Sequence, residues 1–409
     1  MNGKIIFRIA LFAALAYSPS AVFATSAWAR KYKTSCYTCH SAFPRLNYYG
    51  ERFLRNGYQD PDNEKPDGDT LKKKAINAKT FLSSVDDFFG VRLSVTPLRL
   101  KGDSLTVKGK KTDQLTMGNP DWLQLFFAGS IAKNISIFIE MEQESGKSLF
   151  NWYHLGFHNL GGSSAVNFHV GNISPRDYGG YSNRLRILPP VKAEVYAVKS
   201  ANGKGEDSVD LSSARPGIQY YGYQGPVVWW LGAGPGSTPA DPNDELHYWG
   251  GLRFEVTEAR GSKWVGSNVS IWHYQGTDTK DIATFPTYND FQRNSVEFNL
   301  RRGAFDLQAG YAQGKDDNWK LGATPTANDF DGISLVTAYM VTDKDGLPKI
   351  YPALQYDIVN SDDTSIETEK LTPSLTFFPR ENVRPSLHLT FNLDDSSKYD
   401  YQFNIRVMF

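Results

Sequence analysis

The chain has 409 residues, and its 44 Lys and Arg are matched by 44 Asp and Glu, so its formal net charge is zero. That balance points to no nucleic acid or other strongly charged partner. Aromatic residues reach 14%, unusual for a secreted globular domain, and no hydrolase constellation or phosphate-binding loop is present; Gly161-Gly162 and Gly179-Gly180 read as turns.

The first stretch, residues 1–24, reads as a signal peptide. Lys4 and Arg8 accompany an apolar run from Ile9 to Ala16, and small residues offer cleavage after Ala24 or after Ala29. The mature chain is therefore expected outside the cytoplasm. No later stretch has the length of apolar sequence that a helical membrane span requires.

Residues 25–75 form the next unit, around Cys36-Tyr37-Thr38-Cys39-His40. Two cysteines separated by two residues can each add to a haem vinyl group while the following histidine binds the iron, which is the c-type attachment pattern. They are the only two cysteines in the chain. The competing readings are a redox dithiol, which does not require His40, and half of a zinc site, for which no matching ligand cluster exists. One covalently bound haem c is the expectation, held by Cys36 and Cys39 with His40 as an axial ligand.

After this motif, Leu46, Tyr49, Gly50, Phe53 and Leu54 fall on one helical face, with Arg45, Glu51, Arg52 and Arg55 on the other. Asn56-Gly57 ends the helix. A loop from Asp60 to Asp69 follows, then Lys72, Lys73 and Lys74, a solvated face or a docking site for an acidic redox partner. About fifty residues are too few for an independent core without a cofactor. Residues 76–89 are a linker.

From 90 to 409 the pattern is alternation. Ile135, Ile137, Ile139 and Met141, then Tyr153, Leu155 and Phe157, then Val166, Phe168 and Val170 are apolar faces of period two. Segments of about ten residues match tilted strands crossing a bilayer. Short turns, such as Lys133-Asn134 and Arg302-Gly303, alternate with longer polar connections such as Lys101–Asn119, Ser174–Arg215 and Gly276–Asp290. Counting this way predicts about sixteen antiparallel strands in an outer-membrane barrel, with Val191–Val198 inside the long third loop. Tyr399, Tyr401, Phe403, Ile405, Val407 and Phe409 alternate to a terminal phenylalanine, resembling the C-terminal signal read by barrel-assembly machinery. A soluble periplasmic β-sandwich would need polar outer faces instead.

The stretch Ala29-Arg30-Lys31-Tyr32-Lys33-Thr34-Ser35, the haem motif, Ala42-Phe43-Pro44-Arg45-Leu46-Asn47, Gly50 and Asn56-Gly57-Tyr58 resemble the N-terminal signature of the outer-membrane monohaem cytochrome–porin fusions of iron-oxidising bacteria. The motif resemblance covers residues 29–58, and over the barrel it extends only to architecture and size. It implies a cytochrome that moves electrons from an extracellular donor, Fe(II), to a periplasmic cytochrome or other carrier. That fits a bilayer-spanning barrel with a haem segment in or under its lumen. The alternatives are a haem-plugged porin or transport channel, a cytochrome for a different donor, and a soluble periplasmic carrier.

A second axial ligand is not visible near the motif, because Ser41 to Gly90 contain no further histidine and no methionine. The alternation turns His154, His158 and His169 into the lumen as candidates, and pairing His158 with Ala165 would set His154 opposite His169. Ordinary polar lining is the competing reading. Lys31, Lys33 and the mature amino terminus are further candidates, as is a five-coordinate iron. Glu140, Glu142 and Glu144 form an inward ladder, suited to weak capture of Fe(II) or to cation selectivity.

Overall fold

The computed structural model describes residues 27–62, 74–75, 81–82 and 88–409, except 108, 145–146, 183–184, 199–213, 237–244, 259–260, 283–284 and 321–323. The signal peptide, the lysine linker up to Lys73 and most of 76–89 lie outside the described residues. So does the side chain of Glu144.

Among the described residues two α-helices precede the barrel, α1, Ala27–Tyr32, and α2, Tyr48–Arg55, along with a 3-10 turn and short two-stranded pairings. The barrel strands are β1 Phe89–Val107, β2 Lys110–Ala132, β3 Ile135–Glu144, β4 Lys147–Phe157, β5 Asn167–Ile173, β6 Arg215–Gln224, β7 Val227–Gly234 and β8 His247–Glu255. The second half comprises β9 Asn268–Ile282, β10 Phe285–Arg302, β11 Phe305–Asp316, β12 Asn328–Tyr339, β13 Pro348–Ser361, β14 Thr368–Phe377, β15 Val383–Asn392 and β16 Tyr399–Met408. Each pairs antiparallel with its neighbours, and β16 pairs with β1, closing a sixteen-stranded barrel. Closure leaves no unpaired edge for lipid or water to meet.

The alternation that predicts these strands is inverted relative to a water-soluble protein. On β10, Ser295, Glu297 and Asn299 are at most 4% exposed, whereas Val296, Phe298 and Leu300 are at least 37% exposed. Shielding a Val, Leu or Phe side chain from water gains roughly 1.5–3 kcal/mol. A barrel studded with such residues on its outside is therefore stable in lipid and not in water. No helix among the described residues is long and apolar enough to cross a membrane, so the strands are what span.

The short turns fall as expected, and the connection after β5 adds no strand among its described residues; its 194–197 segment is a short helix, α3. Two long connections differ from expectation. Residues 101–119 continue as ladder up to Val107↔Lys110, and 276–290 continue up to Ile282↔Phe285. Along 110–120 both faces are largely exposed, and in 276–290 the buried inward residues Asp278, Thr287 and Asn289 are polar, so no apolar period marks either stretch, yet neighbouring backbones still satisfy each other there.

Two inserts occupy the lumen and leave a cavity of about 920 Å³ between the connection after β5 and the wall of β1 and β13 to β16. Residues 27–62 sit at the short-turn end. The connection after β5 folds inward above them: Arg176 pairs with Glu297 at 2.7 Å, Tyr181 meets Ser334 at 3.0 Å, and Tyr196 meets Ser295 at 2.7 Å. Ile187, Leu188, Val195 and Tyr196 are buried there, as a second apolar core inside a polar wall.

Candidate cofactor site in the barrel lumen

The Cys36–His40 turn is built by local polar bonds. Cys36–Thr38 form one 3-10 turn, whose cap Ser35 accepts from the Tyr37 amide through Oγ at 3.1 Å. Glu381, in the turn between β14 and β15, accepts from Ser35 Oγ at 2.9 Å and from the Cys36 amide at 3.0 Å. Asn47 then joins turn to helix. Its Nδ2 donates to the carbonyls of Tyr37 and Thr38, and its Oδ1 caps α2 by accepting from the Gly50 amide. A Cβ at Gly50 would lie 2.1 Å from the Cys39 carbonyl oxygen, so the helix can approach the turn only through a glycine.

The amphipathic pattern of α2 is used on both faces. Phe53 packs with Trp28, Tyr32 and Tyr58, whose rings stand 5.7, 5.4 and 6.2 Å from its own. The charged face is not solvated but docked on the lumen wall. Arg55 makes a two-pronged pair with Glu255 at 2.8 and 2.9 Å; Glu51 pairs with Arg253, and with Arg301 at 2.7 Å. Just before the helix, Arg45 grips Asp306 through two bonds of 3.0 Å. Burial alone would push Glu51 up, but the guanidiniums of Arg253, Arg301 and Arg45 hold its carboxyl at about 2.

Cys39 and His40 open onto a cleft lined by Phe43, Leu46, Phe53, Leu54, Tyr58, Phe88, Phe126, Phe138 and Met408 among others, with Arg92 and Glu140 at its polar side. The cavity itself is about 120 Å³, and with the open space at its mouth the total is about 910 Å³. His40 Nδ1 lies 3.2 Å from the Pro44 carbonyl oxygen, to which it donates, leaving Nε2 with its lone pair. A ring nitrogen fixed by a backbone carbonyl, with the other presented, is how metal-ligating imidazoles are held. Burial, against backbone hydrogen bonds at Pro44 and Arg45, lowers His40 to about 4, keeping the ring neutral as a ligand must be. Burial also pushes the Cys39 thiol up to about 12, with Cys36 adding to the effect, which speaks against a redox dithiol that needs an accessible thiolate. The residues present thus fit a haem c: two thiols, an oriented imidazole and an apolar cleft between them and the barrel wall.

The barrel histidines are gathered but stand behind this cleft. His154 and His169 stack at 4.2 Å, and His158 lies edge-on to His169 at 5.6 Å. The predicted register is corrected: His154 faces Gly171, and His169 faces Gly156. The turn after β4 uses left-handed Asn159 and a 3-10 turn at Leu160–Gly162, so pairing resumes only at Phe157↔Phe168; the two-residue offset keeps all three rings inward. Phe138 lies between His154 and the cleft, stacked on the imidazole at 5.5 Å. His158 has both ring nitrogens engaged, Nε2 with Ser136 Oγ and Nδ1 with the Tyr221 hydroxyl, each at 2.7 Å. Since that hydroxyl donates to the Arg55 carbonyl at 2.8 Å, it accepts from His158, and the ring acts as a post for the plug.

The glutamate ladder is likewise bonded to the wall. Glu140 meets Arg92 at 3.3 Å and Gln124 at 2.5 Å; Glu142 accepts from Gln124 at 3.0 Å and from Asn151 at 2.6 Å. Among the described residues no group of three or more His, Cys, Asp or Glu side chains is arranged to hold a metal ion. Sequence reasoning missed Arg253, Glu255, Arg301, Asp306, Glu381 and Met408. Glu381 lies in a turn and has no strand register; the inward register of the others is readable, but a lumenal position does not say what it meets.

No protein-family model matches the chain, and no curated protein is similar to it. Solved structures are. OmpF of Salmonella typhi in complex with daunomycin is 11% identical with a TM-score of 0.54, covering 82% of this chain and 100% of its own. The anion-selective porin of Comamonas acidovorans is 12% identical, TM-score 0.52, covering 78% and 99%. The outer-membrane channel DcaP of Acinetobacter baumannii is 11% identical, TM-score 0.52, covering 79% and 96%. The chain therefore has the sixteen-stranded fold of outer-membrane porins.

Proposed function

We propose that this chain is a haem-plugged outer-membrane barrel of porin build, whose residues 27–62 hold one haem c through Cys36, Cys39 and His40. The observation that carries this is the cleft itself: the neutral His40 imidazole with Nε2 presented, Cys39 beside it, and apolar walls shared between plug and barrel. The likeness to porins and channels favours a transport use of the barrel, with the plug as its stopper. A second reading is favoured by the two inserts that occupy the lumen. With the plug and the inward connection both in place, what crosses most readily is an electron. Bound haem supplies one-electron chemistry. Each ferrous ion outside would then leave as ferric, its electron passing to a periplasmic carrier. This is the role of the cytochrome–porin fusions that residues 29–58 resemble.

The test starts with protein purified from outer membranes in detergent. Haem that stays on the denatured chain, lost in Cys36→Ala and Cys39→Ala, is the expected result, and a haem-free chain overturns the proposal. Anaerobic Fe(II) mixed with the oxidised form then separates the two uses. Fast reduction of the haem favours electron transfer; reduction only by dithionite, with solute conductance in planar bilayers, favours the channel.

A further inference from the structure

The cleft has two kinds of wall. One comes from the plug and carries Cys39 and His40; the other comes from the barrel and carries Phe126, Phe138, Glu140 and Met408. Of the side chains lining it, few can donate to iron besides His40. Glu140 is tied to Arg92 and Gln124, the Trp28 indole donates to the Ala128 carbonyl at 3.1 Å, and the Tyr58 ring is stacked between Trp28 at 4.7 Å and Phe138 at 6.0 Å. Met408 brings a thioether, a neutral soft donor that has no proton to lose and pairs with haem iron in His/Met cytochromes. The other methionines are placed elsewhere. Met117 is 64% exposed, Met141 sits on the lipid face of β3, Met340 is in the inner apolar core, and Met1 lies outside the described residues.

Position supports the assignment. Met408 faces inward at the seam where β16 closes on β1, paired with Arg92, which lines the same cleft. Its backbone is fixed on both sides: the amide donates to the Asn382 carbonyl at 3.0 Å, and its carbonyl accepts from Asn382 Nδ2 at 3.1 Å. The next residue exchanges two bonds with Val91, at 2.8 and 3.0 Å. The side chain is thus held at the cleft by the closing strand of the barrel.

We propose that the Met408 sulfur is the second axial ligand of the haem iron, so that the iron bridges plug and barrel; this rests on the haem reading above. The barrel histidines are then wall and post, not ligands.

The measurement uses full-length protein in detergent, as wild type and as Met408→Leu, Met408→His and Met141→Leu. The ferric wild type is expected to show the weak near-infrared sulfur-to-iron charge-transfer band. Met408→Leu should lose that band and show a lower midpoint potential, since a thioether ligand raises it. Met408→His should replace the band with a bis-histidine spectrum, and Met141→Leu should leave it in place. A band and potential unchanged in Met408→Leu overturn the assignment. If the leucine variant fails to assemble, a Met408→His spectrum identical to wild type overturns it equally. Wild-type chain with no covalent haem overturns the haem reading and the ligand with it; haem present but indifferent to Met408 overturns the ligand alone.

Discussion

At the scale of single residues, Gly57 shows how closely the plug is fitted. It adopts φ of +67°, and a Cβ there would lie 2.2 Å from His158 Cδ2. Both the backbone conformation and the space exclude a side chain. His158 cannot step aside, because Ser136 and Tyr221 hold its two nitrogens. Gly57→Ala is therefore expected to lift the end of α2 off the wall. Limited proteolysis of folded barrels should cut residues 27–62 several-fold faster in the variant, with the barrel itself still resistant. Equal cutting rates would mean that the plug does not rest on His158.

Glu51 makes a second residue-scale prediction, through pH. Its carboxyl is held at about 2 against an ordinary value near 4.5. A depressed pKa means stability that is fully present above the unfolded value and lost as pH falls towards the folded one. Plug protection, followed by hydrogen exchange of α2, should be flat at neutral pH and weaken progressively from about 4.5 towards 2. Glu51→Gln should weaken docking already at neutral pH, by about 3–5 kcal/mol at most, since Arg301 loses its carboxylate while Arg253 keeps Glu255 at 3.1 Å, and should flatten the acid slope by Glu51's share.

At the scale of elements, what the sequence discloses depends on whether an element's partner is local or distant. The strands are legible because a barrel wall asks the same thing of every segment: apolar out, polar in, for about ten residues. The Ile135–Met141 run needs no knowledge of its neighbours to be read as a strand. Helix α2 is legible in the same way, from Phe53 and Leu54 on one side and Arg52 and Arg55 on the other. Its docking is not, since a charged helical face reads as solvated unless the facing charges are known, and Glu255, Arg253 and Asp306 lie some two hundred residues or more away. The ladder continuing past the bilayer at 101–119 was hidden for a different reason: both faces there are wet, so the period-two signal vanishes while the backbone pairing persists. Within the candidate site, Cys36, Cys39 and His40 stand out by spacing alone. Met408 is one inward residue of an ordinary strand, and only closure of β16 on β1 brings it to the cleft.

At the scale of the whole molecule, the question is whether the barrel is open. The polar wall and the porin fold describe a conduit; the inserts describe a stopper. The inward connection is locked by few but buried contacts. Arg176 sits between Glu297, at 2.7 and 3.2 Å, and the Tyr196 ring, whose centre is 3.4 Å from the guanidinium carbon. Removing it leaves Glu297 charged and buried with reduced partners, a change of the kind that costs about 3–5 kcal/mol. Arg176→Ala should thus free the connection without unfolding a barrel whose wall is held by its own ladders. In planar bilayers the wild type is expected to conduct small ions feebly. Arg176→Ala should raise conductance only in part, because the plug remains at the short-turn end; Arg176→Ala combined with deletion of residues 27–62 should approach an open porin. Wild-type conductance already at the open level would show that the inserts leave a continuous water path, and the electron would lose its claim to be what crosses.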